Sequence, residues 1–462
     1  MSGEESAAAP SAPPRKAATG TFAKRVAGVL ATRVTLFAIA FLTSVLLSRI
    51  LGPEGKGAYV AVVALPGMLA ALGMLGLPSA VNYYAGKGAQ LRSLVRATAI
   101  FTVVLSTFMI VVVWFGLPVL ETSVLRAAPD YLLRVVVLTI PAGMLASFGG
   151  AILYGRHAVK VYNLIQLWLA AVLLGLVVVL VMLLRFGING AVAGSVTYNV
   201  LTALAVMVAL RRLGKTSPGA DPASLKQLVS YGVRAAPSLF ASYFNYRADT
   251  YIIQAEMSNY DYALGQYSLA VTMDELIFYI PDSISTILLP RVAGATPEEA
   301  NLWIGRVGRL STLLSIGLAL CLIPTAFVGI HMILPRFGDS IPPFLVLLPG
   351  AVSMSLAKVM GSYVAGRGRP GVMAMGTIGV LIINVALNIL LIPKLGIVGA
   401  SLASLVSYTL QAGLYVYLAS RLSGQPWRSL FVPGRDELRI LFGTGTRLLS
   451  RVLKMAGLAR FR

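Results

Sequence analysis

Arg33, Arg49, Arg234, Arg247 and Lys358 are basic residues set in otherwise apolar stretches, and Asp249, Asp274, Glu275 and Asp282 are acids in the same setting. A charge at the centre of a hydrocarbon layer costs at least ~2.5–3.5 kcal/mol on insertion scales, so such groups normally face a partner or a wet cavity. A guanidinium presents a planar fork of donors that grips phosphate oxygens in bidentate fashion. The five bases are therefore a candidate anion-binding set. Desolvation opposes the charge of a carboxylate and lets it titrate in a useful range, so the four acids are candidates for ion coupling. Arg33, Arg234 and Lys358 fall in one half of the membrane and Arg247 in the other. Arg234 and Arg247 are separated by about 20 Å along a helix. A competing reading pairs Arg33 or Arg234 with Asp282 or Asp274 and makes the charges a lock between helices. Arg49 and Arg134 lie near span ends, where long side chains reach water.

Other chemistries are poorly supplied. His157 and His331 are far apart and have no cysteine partners at ligand spacing, so no metal site is expected. Cys321 is the single cysteine and lies inside an apolar run, which rules out a disulfide framework. Gly52-Pro53-Glu54-Gly55-Lys56-Gly57 lacks the spacing of a phosphate-cradling loop. No cofactor is expected.

The elements that hold these residues are membrane helices. The chain has 462 residues, of which 57% are hydrophobic and 12% charged, against about 25% charged in an ordinary soluble domain. Apolar runs long enough to cross a ~30 Å core recur throughout, and none alternates like a membrane β-strand. The fold class is thus all-α, with spans near 28–51, 58–82, 97–120, 131–154, 161–184, 188–210, 228–255, 263–290, 307–333, 342–365, 371–393 and 396–419. The net charge of +21 is a topology signal rather than a nucleic-acid signal, because Lys and Arg concentrate in alternate loops. One set of loops holds only Lys56, Arg126, Arg185, Arg336 and Lys394, whereas the other set and the tail hold most of the rest. This distribution puts both termini in the cytoplasm. The outer loops are too short and too poor in acids for a membrane glycosyltransferase site.

Residues 1–24 read as a disordered cytoplasmic tail, 25–212 as a six-helix lobe, 213–227 as a cytoplasmic linker, 228–422 as a second six-helix lobe, and 423–462 as a basic segment. In that last segment Leu438, Leu441, Phe442, Leu449, Val452 and Ala456 share a helical face opposite Arg447, Arg451 and Lys454, the pattern of a helix lying in the membrane interface. The two lobes repeat one another at an offset of about 209 residues. Gly187-Ile188-Asn189-Gly190-Ala191 matches Gly396-Ile397-Val398-Gly399-Ala400, and Gly57-Ala58-Tyr59 matches Gly265-Gln266-Tyr267. An even number of spans per repeat makes the lobes parallel, with a site expected between them.

The segment Ser48-Arg49-Ile50-Leu51-Gly52-Pro53-Glu54-Gly55-Lys56-Gly57-Ala58-Tyr59 resembles the first span junction of the Wzx-type polysaccharide flippases of the multidrug/oligosaccharidyl-lipid/polysaccharide exporter superfamily. Leu75-Gly76-Leu77-Pro78-Ser79-Ala80 resembles the end of their second span. Tyr246-Arg247-Ala248-Asp249-Thr250-Tyr251, Leu264-Gly265-Gln266-Tyr267-Ser268, Pro290 and Gly396-Ile397-Val398-Gly399-Ala400 resemble their later spans. The resemblance implies two lobes around a central cationic cavity in the bacterial cytoplasmic (inner) membrane, working by alternating access. It implies an undecaprenyl-pyrophosphate-linked oligosaccharide as substrate, with membrane lipid and other polysaccharide-assembly proteins as partners. Alternatives are a lipid II flippase, a drug/cation antiporter of the same superfamily, and, from another class, a membrane glycosyltransferase or a polysaccharide-complex scaffold. Span 1 carries Arg33 and no acid, which disfavours the cation antiporter.

Overall fold

The computed structural model describes residues 15–123, 126–214, 224–434 and 437. Among these there is no strand. The helices are α1 (Arg15–Gly73), α2 (Leu77–Gly86), α3 (Leu91–Ser123), α4 (Asp130–Val137), α5 (Ile140–Gly155), α6 (Val159–Leu176) and α7 (Gly187–Gly214) in the first lobe. In the second lobe they are α8 (Leu225–Glu256), α9 (Tyr260–Asp274), α10 (Tyr279–Ala293), α11 (Pro297–Ile333), α12 (Ile341–Gly366), α13 (Pro370–Leu395) and α14 (Ile397–Ser423). Helix α1 begins inside the segment that the sequence assigns to a tail. The basic amphipathic pattern over 438–456 lies outside the described residues.

Ten helical segments among the described residues are long and apolar enough to cross a membrane by length and composition. One of them, Val34–Gly73, has 40 residues, about 60 Å of helix and twice the hydrocarbon thickness. It is broken at Gly52, whose φ of 71° and ψ of −179° interrupt the helix. A glycine adopts that left-handed φ without steric cost, and Pro53 restarts the helix because its missing N–H would be unpaired there in any case. Helix α8 has the length, 32 residues, but is too polar to be counted by composition. Splitting α1 and adding α8 gives about twelve crossings, as the sequence predicts.

Contacts fix how the crossings alternate. Glu54 pairs with Arg336, and the Ala127 N–H donates to Gln254, so the turns near residues 54, 127, 254 and 336 share one end of the bundle, here the Gly52 end. Gly76 meets Gly232, Gly155 meets Asn82, and Gly366 meets Val292 at the other, the Gly76 end. The chain after α14 lies there too, where Arg309 of α11 donates to the Ser429 carbonyl at 2.6 Å and to Glu437 at 2.8 Å.

Each lobe is a bundle. In the second, α12 packs on α10, α11 and α14, and α13 bridges α8 and α14. In the first, α5 packs on α2, α3 and α7. The lobes meet along the second half of α1 and α2. At the Gly52 end a Cβ on Gly57 would fall 1.8 Å from the Asp261 carbonyl oxygen, and one on Gly265 would fall 1.9 Å from the Pro53 oxygen. The two glycines that match across the internal repeat therefore lie in a close inter-lobe contact, backbone against backbone, as small residues permit in membranes. Gly57→Ala should cost about 1–3 kcal/mol through this overlap and lower the thermal unfolding midpoint in detergent. Gly175→Ala is the matched control, since a Cβ there meets nothing within 4 Å.

Candidate functional site

A cavity of about 300 Å³ lies between the lobes, lined by the second half of α1, α8, α9 and Glu275. Lys56, Arg247, Asp249 and Glu275 are its charged residues. The lining is thus mixed in sign, with two bases and two acids. Arg247 Nη2 sits 3.1 Å from Glu275 Oε1, and the two side chains keep 41% and 33% of their surface exposed. This pair is loosely made: one guanidinium nitrogen meets one carboxylate oxygen in an accessible space. The remaining donors of the fork are available to an anion that enters.

Asp249 is held more firmly. It accepts the Thr250 N–H at 2.7 Å and the Tyr267 hydroxyl. Tyr251 reaches across the lobe boundary to donate to the Ala64 carbonyl at 3.0 Å. Lys56, which the sequence places in an outer loop, is instead 4% exposed, because the helix restarts at once after Gly52 and carries it inward. Its ammonium donates to Ser44 Oγ at 3.0 Å and lies 5.9 Å from the Tyr59 ring centroid. Tyr59 in turn bonds Ser195 at 2.8 Å.

The span formed by α9 and α10 is broken at mid-length by a 3₁₀ turn, Glu275–Phe278. Irregular backbone at such depth is tolerated where it borders a cavity or is covered by protein. Glu275 opens the turn, and Asp282 follows two helical turns later on the same side. Asp282 pairs with Lys358 of α12 at 2.8 Å, and the Lys358 ammonium also lies over the Phe278 and Tyr246 rings at 4.7 and 5.6 Å. Lys358 lines a separate hollow of about 220 Å³ within the second lobe. Asp274 is 3% exposed, and its Oδ1 has no hydrogen-bond partner among the described residues.

The bases singled out from sequence are thus distributed. Arg247 lies in the inter-lobe cavity and Lys358 in the second lobe. Arg234 is exposed near the Gly76 end and makes no ion pair among the described residues, and Arg49 is exposed near the Gly52 end. Arg33 is on α1, and its side chain is outside the described residues. The pairings expected from sequence for Asp282 and Asp274 do not include the ones that form. Glu275 takes Arg247, and Asp282 takes Lys358, because these bases come from α8 and α12, the helices that flank that face of the broken span. The seven-residue interval between Glu275 and Asp282 was the available signal.

A two-lobed helical bundle with charges in a cavity at the lobe boundary has counterparts among solved membrane proteins. The fold is similar to that of the lipid II flippase MurJ in an inward closed conformation, with a TM-score of 0.71 at 13% identity over 89% of this chain and 90% of that one. It is also similar to an inward-facing multidrug resistance MATE family transporter of the MOP superfamily, with a TM-score of 0.65 at 15% identity over 86% of this chain and 98% of that one. Residues 46–337 match the family model described as polysaccharide biosynthesis protein, and the chain belongs to that family. The matched range includes Arg49, Arg234, Arg247 and the four acids but not Arg33 or Lys358. The probable low-salt glycan biosynthesis flippase Agl15 of Haloferax volcanii is 25% identical over 252 residues. That alignment spans 51% of this chain and 51% of the relative, so the chain matches half of that protein's length.

Proposed function

We propose that this protein is a flippase that moves a polyprenyl-pyrophosphate-linked oligosaccharide, with undecaprenol as the carrier in a bacterial host, from the inner to the outer leaflet of the cytoplasmic membrane. The observation that carries the reading is Arg247, half-exposed in the inter-lobe cavity and loosely paired to Glu275. A pyrophosphate carries at least two charges and cannot cross hydrocarbon unaided. In the cavity it displaces Glu275 and takes the Arg247 fork, while the polyprenyl chain stays in lipid. Arg33 and Arg234 receive it first at the Gly76 end, which the basic loops make the cytoplasmic end, with both termini on that side. Lys358 joins only when its bond to Asp282 is released. Alternate opening of the Gly57–Gly265 contact and of the Gly76–Gly232 contact exposes the cavity to one leaflet at a time. Asp249, Asp274, Glu275 and Asp282 are candidates for coupling this cycle to an ion gradient. Membrane lipid surrounds the lobes, and polysaccharide-assembly proteins would supply and remove the substrate.

The family membership and the relative that is named a glycan biosynthesis flippase support this reading over an enzyme. The test is transport in proteoliposomes of a fluorescent undecaprenyl pyrophosphate carrying a disaccharide. Protein-dependent movement of that lipid is expected, with no efflux of a cationic dye. Dye efflux without lipid movement would instead identify a drug/cation antiporter, and rescue of cells that lack their own lipid II flippase would identify that activity.

A further inference from the structure

At the Gly76 end the lobes meet over an open hollow of about 520 Å³, within the size range of small-ligand sites. Three aromatic rings border it. Tyr83 comes from α2, Tyr154 from the end of α5 and Tyr231 from α8, so both lobes contribute. Tyr83 and Tyr231 stack at 4.9 Å between centroids, 18° from parallel. They remain 41% and 38% exposed, and Tyr154 remains 40% exposed. Beside the rings stand Asn82, Lys87 and His157, all exposed, and the Lys87 ammonium lies 4.7 Å from the Tyr83 centroid. His157 holds φ at 59° as the left-handed residue that ends α5, where its N–H and that of Ala158 donate to the Tyr154 and Leu153 carbonyls.

Flat apolar rings edged by an amide, an imidazole and an ammonium suit a carbohydrate. A pyranose lays its C–H face on an aromatic ring while its hydroxyls exchange hydrogen bonds with the flanking groups. The placement also fits the substrate. Tyr231 and Arg234 are three residues apart on α8 and share a face, so a pyrophosphate at Arg234 brings its first sugars to the ring of Tyr231.

We infer that this hollow is a saccharide subsite that takes the glycan of the lipid-linked substrate at the cytoplasmic mouth. The inference rests on the function proposed above. Its test compares transport of undecaprenyl pyrophosphate bearing an N-acetylhexosamine disaccharide with transport of bare undecaprenyl pyrophosphate, in the same proteoliposomes. The wild type should prefer the glycosylated lipid. Tyr83→Ala and Tyr231→Ala should each reduce that preference about tenfold, the loss expected of a ring that anchors its ligand, and Tyr83→Trp, which keeps a ring, should retain it. Should Tyr83→Ala fail to insert, Tyr83→Leu reads the same ratio with most of the bulk kept. Equal loss on both lipids would make the Tyr83–Tyr231 stack a latch between lobes and overturn the subsite. So would an unchanged ratio in the variants, or a wild type without preference. A wild type that moves neither lipid would overturn the flippase reading itself, and the subsite with it.

Discussion

Arg247→Ala, in protein that inserts and accumulates normally, should reduce transport of the lipid-linked oligosaccharide about a hundredfold or more. A hydrogen bond to a charged group contributes ~1.5–3 kcal/mol. Losing the two bonds of a bidentate grip removes roughly 3–6 kcal/mol of anion binding, and every 1.4 kcal/mol is about tenfold. Arg247→Lys should recover only part, since a single ammonium cannot reproduce the fork. Glu275→Gln should act in the opposite sense on binding. Glu275 competes with the incoming anion for Arg247 across 3.1 Å, and the amide removes that competitor's charge. The substrate concentration at half-maximal rate should fall several-fold, in line with the ~1 kcal/mol typical of a partly exposed pair. The maximal rate should fall too, because release on the far side needs the carboxylate to reclaim its partner. Proteoliposome rates over a range of substrate concentrations separate the two effects. Wild-type rates from Arg247→Ala would make Arg247 a structural residue and would remove the anion site from this cavity.

The spans were legible because apolar runs of the required length are the strongest signal a sequence carries, and the internal repeat pointed to two lobes. What escaped was set by contacts distant in the chain. Residues 52–57 read as a loop because glycine, proline and two charges cluster there. The structure turns on Gly52 alone, and the helix that resumes there carries Lys56 inward, where Ser44 on the preceding span accepts from its ammonium. Arg247 stood out as a charge in an apolar stretch, but its choice of Glu275 depends on how α8 lies against the broken span. The likeness of Gly57 to Gly265 was visible as a repeat, yet nothing local says that the two segments touch. Tyr83 and Tyr231 sit near span ends, where tyrosine is common for interfacial reasons, so their stacking across the lobe boundary has no signature in one sequence.

Asp274→Asn and Asp282→Asn should part company, although both remove one charge from the same span. Asp274 is 3% exposed and offers Oδ1 to no described partner. An uncompensated charge in such a place costs several kcal/mol. An amide of the same shape keeps the packing without that cost, so the thermal midpoint of Asp274→Asn should stay level or rise. Transport should nevertheless fall about tenfold or more if this carboxyl takes up and releases a proton in each cycle. Asp282→Asn strands Lys358, whose side chain is 21% exposed, against the Phe278 and Tyr246 rings without a carboxylate. Breaking a fully buried pair costs ~3–5 kcal/mol. Asp282 is 37% exposed, so the penalty should be smaller, about 1–3 kcal/mol, and visible as a lowered midpoint. The paired replacement Asp282→Asn with Lys358→Met should restore most of that stability. Unfolding midpoints and transport rates under an imposed pH gradient measure both halves. Asp274→Asn protein that transports at the full rate, or wild-type transport indifferent to collapse of the gradient, would exclude Asp274 as the coupling group.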